Sequence, residues 1–157
     1  VYKRQAPWGA ELQAIITSDE PGGVGMALEF TITTVRGRSV DVAVYRTRAQ
    51  MRRAAARWNG SSQPPDTQGV TQGFVGPANP QAVIRLAEEH LTRRVIDHEL
   101  IHAAQAIYGQ DHEEFIRQHP MEHWTHHNEV FAYTFTELHV LMYTALREYG
   151  LAVTDGF

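Results

Sequence analysis

Polar and apolar positions along the chain change period several times, and each change marks a predicted element. From Glu29 to Tyr45 the period is two: Phe30 and Ile32 alternate with threonines, Arg36-Gly37-Arg38 supplies a turn, and Val40, Val42 and Val44 alternate with Asp41 and Ala43. That pattern predicts a β-hairpin with one buried face. Thr47-x-x-Gln50 then forms a capping box, and a helix over 48–58 follows with Met51, Ala54, Ala55 and Trp58 as its buried side and Asn59-Gly60 as its stop. Two short strands are predicted at Val70–Val75 and Ala82–Leu86. Helical spacing returns from about His90 to Tyr108, where Ile96, Leu100, Ala103 and Ile107 make one apolar stripe and Gly109 reads as a stop. A polar loop bearing His112, His119, His123 and His126 leads to a last helix, roughly Thr125 to Tyr149, ended by Gly150. Upstream, Glu11–Ser18 reads as a short helix and Pro21-Gly22-Gly23 as a breaker. Strands with an inserted helix followed by two helices predict one α+β domain over 1–157, with 29–86 carrying the strands and the Arg-rich helix and 90–150 the last two helices.

Composition narrows the classes. The chain has 157 residues, 43% of them hydrophobic, enough for one real core. No run approaches a membrane span, and no charged-then-apolar leader opens the chain, which starts at Val1. A soluble protein is expected, with the cytoplasm preferred and the compartment otherwise open. With no cysteine, disulfides and thiolate zinc sites are excluded, so any metal must use His, carboxylates and water. Seven arginines lie between Arg36 and Arg57 against one acid, Asp41. Arg48, Arg52, Arg53 and Arg57 could meet phosphates. Arginine is also the chain's general cation, since Lys3 is its one lysine, and a solvated helix face is the expectation.

The candidate chemistry lies in His98-Glu99-Leu100-Ile101-His102. On a helix, side chains four apart share a face, so the two imidazoles can converge on one metal ion. Glu99, about a quarter-turn round, is placed to reach a water on that metal and act as general base. The histidines fall opposite the apolar stripe, on a side that also carries Leu91 and Val95, which predicts that other elements cover both sides. A catalytic zinc needs a third protein ligand. The extended H-E-x-x-H-x-x-G-x-x-H form is absent, because Gln105 and Tyr108 occupy the Gly and His places. Glu129 is the first candidate, on a small, mostly apolar face of the last helix with Ala132, Thr136, Val140 and Tyr143, opposite Phe131, Phe135, Leu138, Met142 and Tyr149. Such a face suits packing against the site helix. His112, His119, His123, His126 and His127 are the competitors. Tyr133, one turn beyond Glu129, is the leading donor to a developing oxyanion, with Tyr143, His127 and His139 as alternatives.

His98-Glu-Leu-Ile-His102 followed by Asn128-Glu-Val-Phe-Ala132-Tyr resembles the gluzincin branch of the zincin metallopeptidases, over about the C-terminal half of the chain. The resemblance implies one catalytic zinc held by His98, His102 and Glu129, with Glu99 as base. It implies a zincin-like fold: a small, mostly antiparallel sheet on the H-E-x-x-H helix and a long C-terminal helix. It also implies that Ala82–Leu86 is the edge strand along which a peptide substrate pairs. Tyr133 stands where many gluzincins have an Asp, so the group that orients the ligand histidines is left open. The expected function is zinc-dependent hydrolysis of peptide bonds. The alternatives are a non-catalytic zinc module that binds peptides, a zincin-like domain in a regulatory or DNA-associated protein, and a metal store built on the His-rich stretch.

Overall fold

The computed structural model describes residues 2–5, 11–15, 26–74, 79–118 and 123–156. Among the described residues, six strands, β1 (Tyr2–Gln5), β2 (Glu11–Ile15), β3 (Met26–Thr33), β4 (Ser39–Tyr45), β5 (Gly69–Gly73) and β6 (Ala82–Ala87), form one sheet in the order β1-β2-β3-β4-β6-β5. Neighbours pair antiparallel except β4 and β6, which run parallel. Three α-helices accompany them: α1 (Arg48–Asn59), α2 (Arg93–Gln118) and α3 (His123–Glu148). The α+β class is as expected, with a mixed sheet. No helix among the described residues is long and apolar enough to cross a membrane.

Strand alternation decides what lies on each side of the sheet. Leu28, Phe30 and Ile32 of β3, Val40, Val42 and Val44 of β4, and Ala82, Ile84 and Leu86 of β6 form one buried layer with Ile96, Leu100, Ala103 and Ile107 of α2 and Leu138, Leu141, Met142, Ala145 and Leu146 of α3. The opposite face puts Ala43, Tyr45 and Ala87 under Met51 of α1. The predicted hairpin closes at Gly37, whose φ of 74° suits glycine, with the Gly37 amide donating to the Thr34 carbonyl at 2.8 Å. The capping box is present, as Thr47 and Gln50 each bond the other's backbone, and Gly60 ends α1 in the left-handed region. Gly150 likewise ends α3: its amide donates to the Arg147 carbonyl at 3.1 Å and that of Leu151 to the Leu146 carbonyl at 2.9 Å, the two bonds of a Schellman motif.

Four expectations change. Glu11–Ile15 is a strand paired with β3, not a helix, because an open sheet edge offered Leu12 and Ala14 a ladder opposite Ile32 and Phe30. Val75, placed at the end of a predicted strand, lies outside the described residues. Ala82–Leu86 is not the edge strand. It lies between β4 and β5 and is buried along its whole length, and Gly69–Gly73 is the edge. Gly109 does not stop α2, which runs on to Gln118: a lone glycine with open space around it costs a helix only about 1 kcal/mol. The backbone at His112 and His123 is therefore helical, in α2 and α3, where a loop was expected, His126 lies in the last helix, and His119 lies outside the described residues.

The seat of α2 on the sheet is the contact that carries the site. Leu100 is fully buried in it. Leu100→Ala should cost about 2–5 kcal/mol in urea unfolding, as deleting a packed core side chain does. A cost below about 1 kcal/mol would mean that α2 does not seat there.

Candidate metal centre and its cleft

His98 and His102 stand one turn apart on the outward side of α2, and both are exposed. Their rings meet edge to face, 4.7 Å between centroids, with the two Nε2 atoms 3.2 Å apart. Tetrahedral zinc with nitrogens at about 2.0–2.1 Å needs an N–N edge of roughly 3.3–3.4 Å. The pair therefore spans one edge of a zinc tetrahedron with little adjustment. The same distance suits a hydrogen bond between neutral rings, and the second nitrogen of His102 bears on which ring can donate. His102 Nδ1 lies 3.3 Å from Gln105 Oε1, and a proton on Nδ1 donated to that oxygen would leave the lone pair on Nε2. Gln105 is thus within hydrogen-bond reach of the His102 nitrogen that faces away from His98.

Glu99 points the other way, into the contact with β5, and is 5% exposed. Thr71 Oγ1 lies 2.7 Å from Glu99 Oε2 and 3.0 Å from the Glu99 carbonyl oxygen, so its one proton is shared between two acceptors. Burial raises the Glu99 pKa; the Thr71 hydrogen bond and the nearby His98 and His102 hold it back. A cleft of about 400 Å³ opens alongside, with Gly69 and Asp66 on one wall and Arg94, His98 and Glu99 on the other.

The structure pairs His98 with His102, turns the neighbouring Glu99 into the contact with β5, and leaves Glu129 apart. Among the described residues no group of three or more His, Asp or Glu has the arrangement of a metal site. Glu129 is exposed, and so are Ala132, Thr136 and Val140, the face expected to pack on α2. The competing stripe through Leu138, Leu141, Met142, Ala145 and Leu146 buries more apolar surface and takes the core instead. Tyr133 is 69% exposed on the same outer face as Glu129. Side chains of the competitors His112, His119, His123, His126 and His127 lie outside the described residues. The histidine side of α2 is open where cover was expected, because Leu91 and Val95 turn into the main core.

Tyr143 and His139, the alternatives for the oxyanion, are engaged elsewhere. The Tyr143 hydroxyl donates to Asp97 Oδ1 at 2.9 Å, and His139 Nε2 lies 3.5 Å from the same oxygen. Burial, then the bond to Asp97, raises the Tyr143 pKa. This cluster ties α3 to α2 beside the site. Sequence reasoning missed Gln105, Gly69, Thr71 and Arg94. Gln105 was legible, three residues after His102 on the same helix, and Arg94 as well, one turn before His98. Thr71 and Gly69 reach Glu99 only through the tertiary fold.

No protein-family model, no curated protein and no solved structure matches this chain.

Because burial holds the folded Glu99 above its ordinary value of 4.5, the folded chain keeps a proton that the unfolded chain has released. Its contribution to stability is complete below that ordinary value and is lost as pH rises through the raised one. Glu99→Gln stays neutral throughout. In chelator-treated protein the variant should therefore gain stability over the parent between pH 5 and 8, with the gap closing near pH 4. Parallel stability–pH curves would contradict the burial of this carboxylate.

Proposed function

We propose that the chain is a zinc-dependent peptidase of gluzincin type. The observation that carries this reading is the pairing of two imidazole nitrogens 3.2 Å apart with a buried carboxylate from the intervening turn, beside an open cleft. Two exposed histidines alone would suit adventitious metal. A carboxylate kept in a largely dry contact at a cleft wall carries a desolvation cost that a general base makes use of.

His98 and His102 hold the zinc, with Glu129 the proposed third ligand. When bound there, zinc lowers the pKa of a water and polarises a carbonyl oxygen. Glu99 accepts the proton of the attacking water and passes it to the leaving amine. Gln105 fixes the His102 ring, and Tyr133 is the proposed second donor to the oxyanion. Glu129 and Tyr133 lie one turn apart on the exposed face of α3. The peptide is proposed to pair along β5, the antiparallel edge, in place of β6.

A second reading, a zinc module that binds peptides without cleaving them, draws on the exposed position of Glu129. A nucleic-acid role is weaker: the Arg48 backbone amide and guanidinium meet Glu89, and Arg52 donates to the Pro65 carbonyl, so half of that arginine set already has protein partners.

Zinc content and hydrolysis of several unstructured peptides test the readings together. The expected result is one zinc per chain, most of it lost in His98→Ala, His102→Ala and Glu129→Ala. Glu99→Gln should keep the metal while cleavage falls by about two to four orders of magnitude. Full zinc content in Glu129→Ala would remove the gluzincin assignment. A zinc-loaded parent that binds peptides and cleaves none would establish the binding module.

A further inference from the structure

The strand beside Glu99 has an uneven composition that the reaction scheme does not use. In Gly69–Gly73, alternation turns Val70 and Gln72 toward α1, where Val70 packs under Met51 and Gln72 donates to the Ala55 carbonyl at 3.1 Å. Gly69, Thr71 and Gly73 face α2. Neither glycine has a positive φ, so backbone conformation does not demand them. Space does at Gly69: a Cβ there would lie 2.8 Å from Glu99 Cγ, 2.9 Å from Glu99 Oε1 and 3.0 Å from Val95 Cγ1. At Gly73 a Cβ would come within 3.3 Å of the Ala106 Cβ. Small residues thus let α2 close on the strand, and the one hydroxyl between them meets the one carboxylate.

The two oxygens of Glu99 are consequently not equivalent. Oε2 is held by Thr71 at 2.7 Å. Oε1 opens toward Gly69, on the wall of the cleft, where any larger residue would crowd it. We infer that Thr71 and Gly69 are positioning residues for Glu99, with Thr71 anchoring Oε2 and Gly69 keeping clear the space through which Oε1 faces the cleft. The inference rests on the base role of Glu99 proposed above and adds that the edge strand, not α2 alone, aims the carboxylate. A base whose carboxylate is free to rotate reaches its proton in fewer encounters, and misplacement by about an ångström can cost up to 100-fold.

Five variants test it: Thr71→Val, which keeps the shape and removes the hydroxyl; Thr71→Ser, which keeps the hydroxyl; Gly69→Ala; Glu99→Ala; and Thr71→Val combined with Glu99→Ala. Thr71→Val should retain zinc and KM while kcat falls about tenfold or more. Thr71→Ser should recover most of kcat, and Gly69→Ala should lose kcat with zinc retained. A second readout needs no activity. In chelator-treated protein Thr71→Val should lower the melting temperature by about 4–8 °C in the parent, where a buried acceptor loses its donor, and by clearly less in the Glu99→Ala background. Unchanged kcat in Thr71→Val, or no rescue by serine, would overturn the positioning role while peptide cleavage by the parent still stands. Equal melting shifts in both backgrounds would overturn the contact itself. If the parent cleaves no peptide although the melting shifts remain coupled, the contact is structural only, and the peptidase reading falls together with the positioning role.

Discussion

Everything about the candidate site depends on how closely α2 approaches the edge strand. A helix normally stands off a sheet by the length of the side chains between them. Here Gly69 and Gly73 remove that spacer, and the helix closes until Glu99 lies against the strand with Thr71 as its hydrogen-bond partner. The approach buries Glu99 and, through the rotation of the helix, leaves His98 and His102 outward. One constraint thus separates the surroundings of adjacent residues: a carboxylate with a raised pKa inside, and two exposed imidazoles at the rim.

The rest of the fold braces that contact. Leu91, Val95, Ile96, Leu100, Ala103 and Ile107 bind α2 into the main core, and β6, buried on both faces, is the strand against which β5 is held. At the far end, the Thr92–Thr154 bridge and the Arg93 amide bonded to the Thr154 carbonyl at 2.7 Å fasten the start of α2 to the C-terminal segment. The Asp97, Tyr143 and His139 cluster fixes α3 one residue before His98. These contacts are spread over residues far apart in sequence, so the placement of α2 against β5 belongs to the fold as a whole.

Periodic local patterns were legible. The hairpin from β3 to β4, the capping box at Thr47 and Gln50, the buried stripe of α2 and the stop at Gly150 follow from alternation, helical spacing and cap chemistry. So was the pairing of the His98 and His102 rings, because an i, i+4 relation on a helix is itself geometry. What failed was competition between alternatives that each satisfy local rules. Glu11–Ile15 suited either a helix or an added strand, and the open sheet edge decided. Gly109 reads as a stop, yet α2 runs through it to Gln118. On α3 two apolar stripes were available, and the one without Glu129 fills the core. The edge strand was misassigned because order in a sheet is set by pairing partners, which hydrophobic runs do not name. Thr71 and Gly69 were invisible for the same reason.

The central claim is that His98 and His102 form two corners of a zinc site at the mouth of this cleft. Anomalous diffraction at the zinc edge from crystals of the zinc-loaded protein tests it most directly. The account predicts one strong peak about 2.0–2.1 Å from both Nε2 atoms. It predicts further that Glu99 stays off the metal, with its carboxylate directed at a water. No peak at this pair, or a peak coordinated by Glu99 itself, would contradict it.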